Sequence, residues 1–309
     1  MFLQKRVIRG VEYKYLDHSF RIGDTVQKVS FIVNKDRQDY NEEIIAKISS
    51  ARAIHFIGKN KPYFSQEEIT KIETEKIFYQ LFYNSLDQKI KREIFEEFAR
   101  LFLSNSMELE GSTITPQLAE NIDRNKKIVL PELEIRLYEN SQKALRHILK
   151  NEFRSVIQFK QLHQELYQGI YADAGQFKKL PNTFGYTDKA QTTAPEKVRE
   201  ELQKVIQNYR NKDIYPFLKP LLFHLQYQKV HPFTNGNSRL GRIMLTAQLF
   251  KLGYPPFIFK GDMNFQIREH LIEYINYGNL DFYRLCYEQY LQTAKKFWRP
   301  MIEKYFFPQ

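Results

Sequence analysis

The sequence predicts a mainly α-helical protein that opens with a β-hairpin, and three observations carry that prediction. From about Asp39 onward, apolar residues recur at the three-and-four spacing of buried helical stripes. Before that point Val11, Tyr13 and Tyr15, then Val29, Phe31 and Val33, alternate with polar residues, the pattern of a strand pair with one buried face. Between Gly175 and Pro195 the helical period stops.

Taken in order, Gly23-Asp24 is the turn signal of the N-terminal hairpin. Ser65-Gln-Glu-Glu68 has the form of a capping box ahead of a helix running to about Asn84. Asp87 begins another helix, whose stripe is Ile90, Ile94, Phe98, Leu101 and Phe102. Thr115-Pro116 reads as an N-cap with proline at the first helical position. Two longer helices are expected over 131–150 and 153–167. Gly175, Pro181, Asn182, Gly185 and Asp188 then interrupt the pattern, so a second hairpin or an exposed flap is expected there. Pro195 restarts helices, and further ones are expected over 265–277 and from Asp281 onward. No internal repeat is present, and the boundary between an N-terminal hairpin and helical region (1–86) and a helical region (87–309) is soft.

Composition narrows the functional classes. A chain of 309 residues, 42% hydrophobic and 15% aromatic, has the means to bury a core. It opens without the apolar run of a secretory signal, and no stretch is apolar and uncharged for long enough to span a bilayer. The single cysteine, Cys286, suits a reducing compartment, so a cytoplasmic protein is expected. The net charge of +11 is spread over faces where Lys and Glu alternate, which speaks to solubility more than to nucleic acid.

Chemistry concentrates in Lys229-Val-His-Pro-Phe-Thr-Asn-Gly-Asn-Ser-Arg-Leu-Gly-Arg242. Leu218, Leu221, Leu222 and Leu225 precede it at helical spacing. Leu240, Ile243, Met244, Ala247 and Phe250 follow, and Gly253 stands where a helix C-cap belongs. A short loop thus opens directly into a helix N-terminus, where unpaired N–H groups and the dipole favour an anion. Gly236 permits positive φ and close backbone approach. Arg239 and Arg242 project from one face of the first turn, forming a phosphate cradle, and His231 supplies a base that titrates near neutrality.

His231-Pro-Phe-x-x-Gly236-Asn237-x-Arg239-x-x-Arg242 resembles the signature of the Fic (filamentation induced by cAMP) proteins. The resemblance implies a Fic-fold helical bundle with a β-hairpin flap, and transfer of AMP from ATP to a Ser, Thr or Tyr hydroxyl of a target protein. It makes His231 the general base. Gly236, Asn237 and Ser238 become donors to the α- and β-phosphates, and Arg239 and Arg242 the holders of the β- and γ-phosphates. Phe233 is expected to be a core anchor, its burial contributing ~2 kcal/mol. Upstream, Ser106-Met-Glu-Leu-Glu110-Gly111 matches the family's inhibitory pattern, in which the glutamate pairs with the second arginine, here Arg242, and excludes the γ-phosphate.

Two positions depart from the family. Asn235 stands where an acidic residue is usual, and an amide brings no charge to Mg²⁺, so Asn235 is a weak metal candidate. Ser238 stands where glycine or lysine is usual. For adenosine the family shows a tyrosine pair followed by Asn-x-Gly-Asp; this chain has Asn276-Tyr-Gly-Asn279, with Arg268-Glu269 at the tyrosines, leaving Asn276 as the candidate contact. ATP and Mg²⁺ are the expected cofactors. The expected partner is a target segment added as a strand along the flap, Gly175–Thr192; a homodimer is left open. Many relatives carry a C-terminal winged helix, which has no room after Asp281, so nucleic acid is not expected. Removal of AMP with Glu110 handling water, or a nucleotide-binding relative with little turnover, are the alternatives.

Overall fold

The computed structural model describes residues 2–22, 25–32, 40–58, 63–151, 155–184 and 190–306. The chain divides into two units, Met1–Leu81 and Phe82–Gln309.

The first unit opens with three antiparallel strands, β1 (Phe2–Ile8), β2 (Val11–Ile22) and β3 (Thr25–Ile32), paired in chain order. The expected hairpin is β2–β3, in register from Tyr15↔Ile32 to Ile22↔Thr25, while its turn residues Gly23-Asp24 and the terminal Val33 lie outside the described residues. Strand β1 is an addition to the sequence reading. Its partner is set by a two-residue turn, Arg9-Gly10, in which both residues have positive φ (50° and 79°). That conformation matches the twist of a hairpin, and the glycine adopts it without strain. Two helices follow, α1 (Tyr40–Ile57) and α2 (Gln66–Phe82). The capping box forms: the Ser65 N–H donates to Glu68 Oε2 at 2.7 Å and the Glu68 N–H to Ser65 Oγ at 3.2 Å.

The second unit is helical. α3 (Gln88–Glu108) starts at Asp87, whose carboxylate accepts from the N–H groups of Lys89 and Ile90 at 2.9 Å. Ile94, Phe98 and Phe102 are buried, and Phe98 stacks on Trp298 at 4.9 Å. α4 (Pro116–Asp123) has its Thr115 cap, and α5 (Glu132–Lys150) and α6 (Val156–Tyr167) pack together. A two-stranded flap, β4 (Thr183–Phe184) and β5 (Ala190–Gln191), interrupts the helices as expected, with its tip outside the described residues. Then come α7 (Val198–Arg210), α8 (Leu218–Val230), α9 (Asn237–Lys251), α10 (Asn264–Tyr277) and α11 (Phe282–Thr293). A π-helical turn, Ala294–Trp298, leads into α12 (Arg299–Phe306).

Helices α8 and α9 form the centre of this unit. Gly241 is the reason they approach so closely: a Cβ there would lie 2.4 Å from Gln228 Nε2. α9 is buried almost along its length and ends at Gly253, φ 76°, with the Tyr254 N–H reaching back to the Leu249 carbonyl at 3.0 Å. Among the described residues no helix is long and apolar enough to cross a membrane.

Candidate functional site

The loop between α8 and α9 is held by its own sequence. α8 ends at His231, which takes the left-handed conformation (φ 47°, ψ 60°) and donates its N–H to the Tyr227 carbonyl at 2.9 Å. Outside glycine that conformation is uncommon and carries strain that the surroundings must hold. Asn237, buried at the start of α9, closes the loop: its Oδ1 accepts the Phe233 N–H at 3.0 Å and its Nδ2 donates to the Phe233 carbonyl at 2.8 Å. Phe233 is fully buried and stacks on the His163 ring, centroids 3.8 Å apart. His163 Nδ1 accepts the Gly175 N–H at 2.9 Å, so the neutral ring carries its proton on Nε2 and donates it to the Asn235 carbonyl 3.0 Å away. Gly236 has φ 77°, and a Cβ on it would strike the Tyr167 ring at 2.0 Å. The close approach expected of this glycine is therefore made to an aromatic ring of α6.

At one end of the loop lie the arginines. Arg239 and Arg242 are both buried, and a single carboxylate bridges them: Arg239 Nη2 meets Glu110 Oε2, and Arg242 Nη2 meets Glu110 Oε1, each at 2.6 Å. Arg242 also donates from Nε to Ser106 Oγ at 2.8 Å and from Nη2 to the Ser106 carbonyl at 2.7 Å. Arg239 Nη1 donates to the Tyr167 hydroxyl at 3.3 Å, and its buried Nε has no partner among the described residues. Burial works against the charge on both. For Arg239 the nearby Glu110 and Tyr167 outweigh it and hold the pKa above its usual value; for Arg242 burial wins, aided by Arg239, and the pKa is held below it.

Ser106 and Glu110 reach the arginines because α3 ends there. Gly111 (φ 87°) reverses the chain, and the Ser112 N–H bonds to the Met107 carbonyl at 3.2 Å. The end of α3 is tied down by the Gly261 N–H to Asn105 Oδ1 (3.3 Å) and by Asn264 Nδ2 to the Leu109 carbonyl. With Glu110 in place, the space beside it measures about 50 Å³, lined by Leu109, Glu110, Ser238, Arg242, Asn264 and Arg268 among others. Small-molecule sites run from roughly 300 Å³ upward, so this one is shut. Asn276, near the exposed end of α10, does not line this space; Arg268 of the same helix does, and sequence reading noted it only as a departure.

At the other end lies His231, beside the flap. Burial first, then the charge of Lys178, pushes its imidazole down to about 3, so the ring is neutral across the physiological range. Phe184 of β4 meets it edge-on at 5.5 Å. Lys178, which sequence reading did not single out, and Asn182 and Thr192, named there only as a break in the helical pattern and the end of the flap, join the flap to this end: Asn182 Nδ2 donates to the Phe233 carbonyl at 2.9 Å, and Thr192 Oγ1 donates to the Asn182 carbonyl at 2.7 Å. Only the Asn-Thr pair flanking the flap signalled them, and such residues are common in any loop.

The donor set does not suit a protein-held Mg²⁺. The Asn235 side chain is solvent-exposed, Glu110 is committed to two guanidiniums, and among the described residues no group of three or more His, Cys, Asp or Glu is placed to hold a metal.

Residues 155–249, which span α6 to α9, match the Fic/DOC family. The protein adenylyltransferase Fic of Nematostella vectensis is 25% identical over 256 residues, 78% of this chain and 57% of the relative; this chain thus spans little more than half that relative's length. Protein adenylyltransferase fic-1 of Caenorhabditis briggsae is 31% identical over 90 residues, 28% of this chain and 18% of the relative. Among solved structures, a Fic domain-containing signaling protein from Bacteroides thetaiotaomicron covers 75% of this chain and 97% of its own, with a TM-score of 0.65 at 18% identity. Fic-1 from C. elegans covers 85% of each chain, with a TM-score of 0.62, also at 18% identity. The helical unit has the Fic fold.

Proposed function

From a Fic/DOC domain over residues 155–249 and a Fic fold around it, we infer that this chain is a protein adenylyltransferase whose resting state is closed by Glu110. ATP is the donor. The acceptor hydroxyl of a target Ser, Thr or Tyr attacks the α-phosphorus, its proton passes to the His231 imidazole, the α–β P–O bond breaks and pyrophosphate leaves. Arg239 and Arg242 hold the β- and γ-phosphates, while Gly236, Asn237 and Ser238 direct the free N–H groups of the α9 N-terminus at the α-phosphate side. Mg²⁺ would meet an uncharged amide at position 235, where Asn235 stands.

One observation carries the reading: two buried guanidiniums share one carboxylate, and a further buried donor, Arg239 Nε, has no partner among the described residues. A cation pair is costly to bury, and a carboxylate matched to both is the economical stand-in for an oligophosphate. Glu110 and a γ-phosphate compete for the same fork, which makes the carboxylate an inhibitor. The flap is the docking strand for the target. Exposed Leu180 and a recess of about 360 Å³ bounded by Asp173, Gln176, Lys179, Pro181 and Thr234 lie next to it, giving an apolar foothold beside the backbone edge.

The test is self-labelling with α-³²P-ATP. Glu110→Gly gains label at least tenfold over the parent, and His231→Ala in that background loses it by a factor of about 10²–10⁴. A Glu110→Gly protein that folds and stays unlabelled overturns the transfer reading.

A further inference from the structure

Lys178 lies outside the motif, between α6 and β4, yet the His231 end of the site converges on it. Its ammonium donates to Asn182 Oδ1 at 2.6 Å, to Thr192 Oγ1 at 2.8 Å and to the Val230 carbonyl at 3.3 Å. Its own N–H donates to the Pro232 carbonyl at 2.9 Å. Asn182 and Thr192 flank the two strands of the flap, one before β4 and the other after β5. Val230 and Pro232 flank His231 in the chain. One residue therefore ties both edges of the flap to the two peptide units that bracket the histidine.

The chemistry of the group suits that geometry. An ammonium has three donors and no acceptor, and three acceptors surround this one. Lys178 is only 4% exposed, and burial lowers its pKa to about 8, which leaves it charged at neutral pH. No carboxylate pairs with it among the described residues, so oxygen dipoles alone compensate the charge. The same charge bears on His231. The groups acting on that imidazole are Lys178 from the flap segment, the Gln228 carbonyl from α8 and the edge of Phe184 from β4; among them Lys178 is the one that carries charge.

We infer that Lys178 is a positioning residue for the transfer, its ammonium locking both edges of the flap against the residues around His231 and so fixing where acceptor hydroxyl and base meet. The inference rests on reading His231 as that base. Its charge adds to burial, the larger effect, in holding the imidazole unprotonated, and negative charge from a polyphosphate alongside would act in the opposite direction. A neutral donor of the same length supplies neither effect.

The experiment compares Lys178→Met and Lys178→Arg, each alone and in the Glu110→Gly background. Lys178→Met lowers self-labelling by about 10²-fold, the scale of a catalytic group displaced by an ångström, while ATP affinity measured by calorimetry stays within twofold. The acidic limb of its pH–rate profile moves upward by about one pH unit. Lys178→Arg, which keeps charge and donors, holds the limb in place and recovers most of the rate. Amide hydrogen exchange at Phe184 and Ala190 accelerates at least tenfold in Lys178→Met, with or without Glu110. A Lys178→Met protein with the parental pH profile and parental flap exchange overturns the inference. A silent Glu110→Gly background defeats the transfer reading instead, and flap exchange then decides on Lys178 by itself.

Discussion

The two ends of the 231–236 loop are held by opposite means. At the arginine end, two buried cations face one carboxylate that arrives from α3, well over a hundred residues away in sequence. At the histidine end, one neutral amide, one hydroxyl and one carbonyl gather around one ammonium within the flap and the end of α8. The first arrangement balances two buried cations with a carboxylate brought from a distant part of the chain. The second satisfies its ammonium with neutral acceptors and has no ion to exchange, although the buried His231 Nδ1 beside it has no partner among the described residues. On the proposed function, the loop would have a replaceable plug where the donor enters and a fixed scaffold where the base sits, as a reaction regulated at the binding step and exacting at the chemical step requires.

Removing the plug is the harshest test of this contrast. Glu110→Ala leaves two desolvated guanidiniums facing each other, and breaking a buried pair in this way costs about 3 kcal/mol. Thermal unfolding reads the loss, and millimolar inorganic triphosphate restores the Tm of the variant while barely moving the parent. A variant insensitive to triphosphate breaks the idea that the two anions share one site. A smaller effect is expected at the scaffold. Asn182→Ala removes the bond to the Phe233 carbonyl and one acceptor of Lys178, costing about 2 kcal/mol, and added triphosphate does not repair it. Recovery there would mean that the two ends are not distinct.

The mildest probe is acid. His224 of α8 is fully buried, and burial, with a contribution from the charge of Arg242, pushes its imidazole from 6.5 down to about 4. The folded pKa lies below the unfolded one, so the unfolded chain takes up the proton first. The stabilising contribution is complete above about pH 6.5 and is lost as pH falls. At pH 5.5 the loss from this one group is about 1.4 kcal/mol. His224→Gln removes that part of the decline in Tm between pH 7.5 and 5.5, and an unchanged slope would assign the acid sensitivity to His231 and His163 instead.

The helices were legible because their signals are local. Asp87, Thr115 and Ser65 each cap the helix that their sequence announces, and Gly253 ends α9 through its backbone conformation. Strand β1 went unread although Arg9-Gly10 sits between two runs of strand-forming residues; its first run mixes Gln4, Lys5 and Arg6 with the apolar residues, which blurs the alternation. In the site, the motif fixes His231 at one end of the loop and Arg239 and Arg242 at the other, since all three hang on one loop and the helix it opens. Glu110 was expected on Arg242 and is found on both arginines. Nothing in the spacing of one helix tells how far a carboxylate on another can reach, and Arg239 entered the bridge only when α3 and α9 were packed.

His163, Tyr167 and Lys178 show the same limit. Each touches the loop from a different part of the chain, and none carries a pattern that separates it from an ordinary core or loop residue. The sequence by itself determined the helical elements and the loop that joins α8 to α9, with His231 at its start and both arginines just after it, because helix caps, periodicity and a contiguous motif are properties of neighbours along the chain. Tertiary structure alone decided that the cradle is closed, that an aromatic ring occupies the space beside Gly236, and that a buried ammonium braces the flap. Those outcomes depend on which distant groups share a desolvated volume, and burial and charge pairing act through space without regard to chain distance.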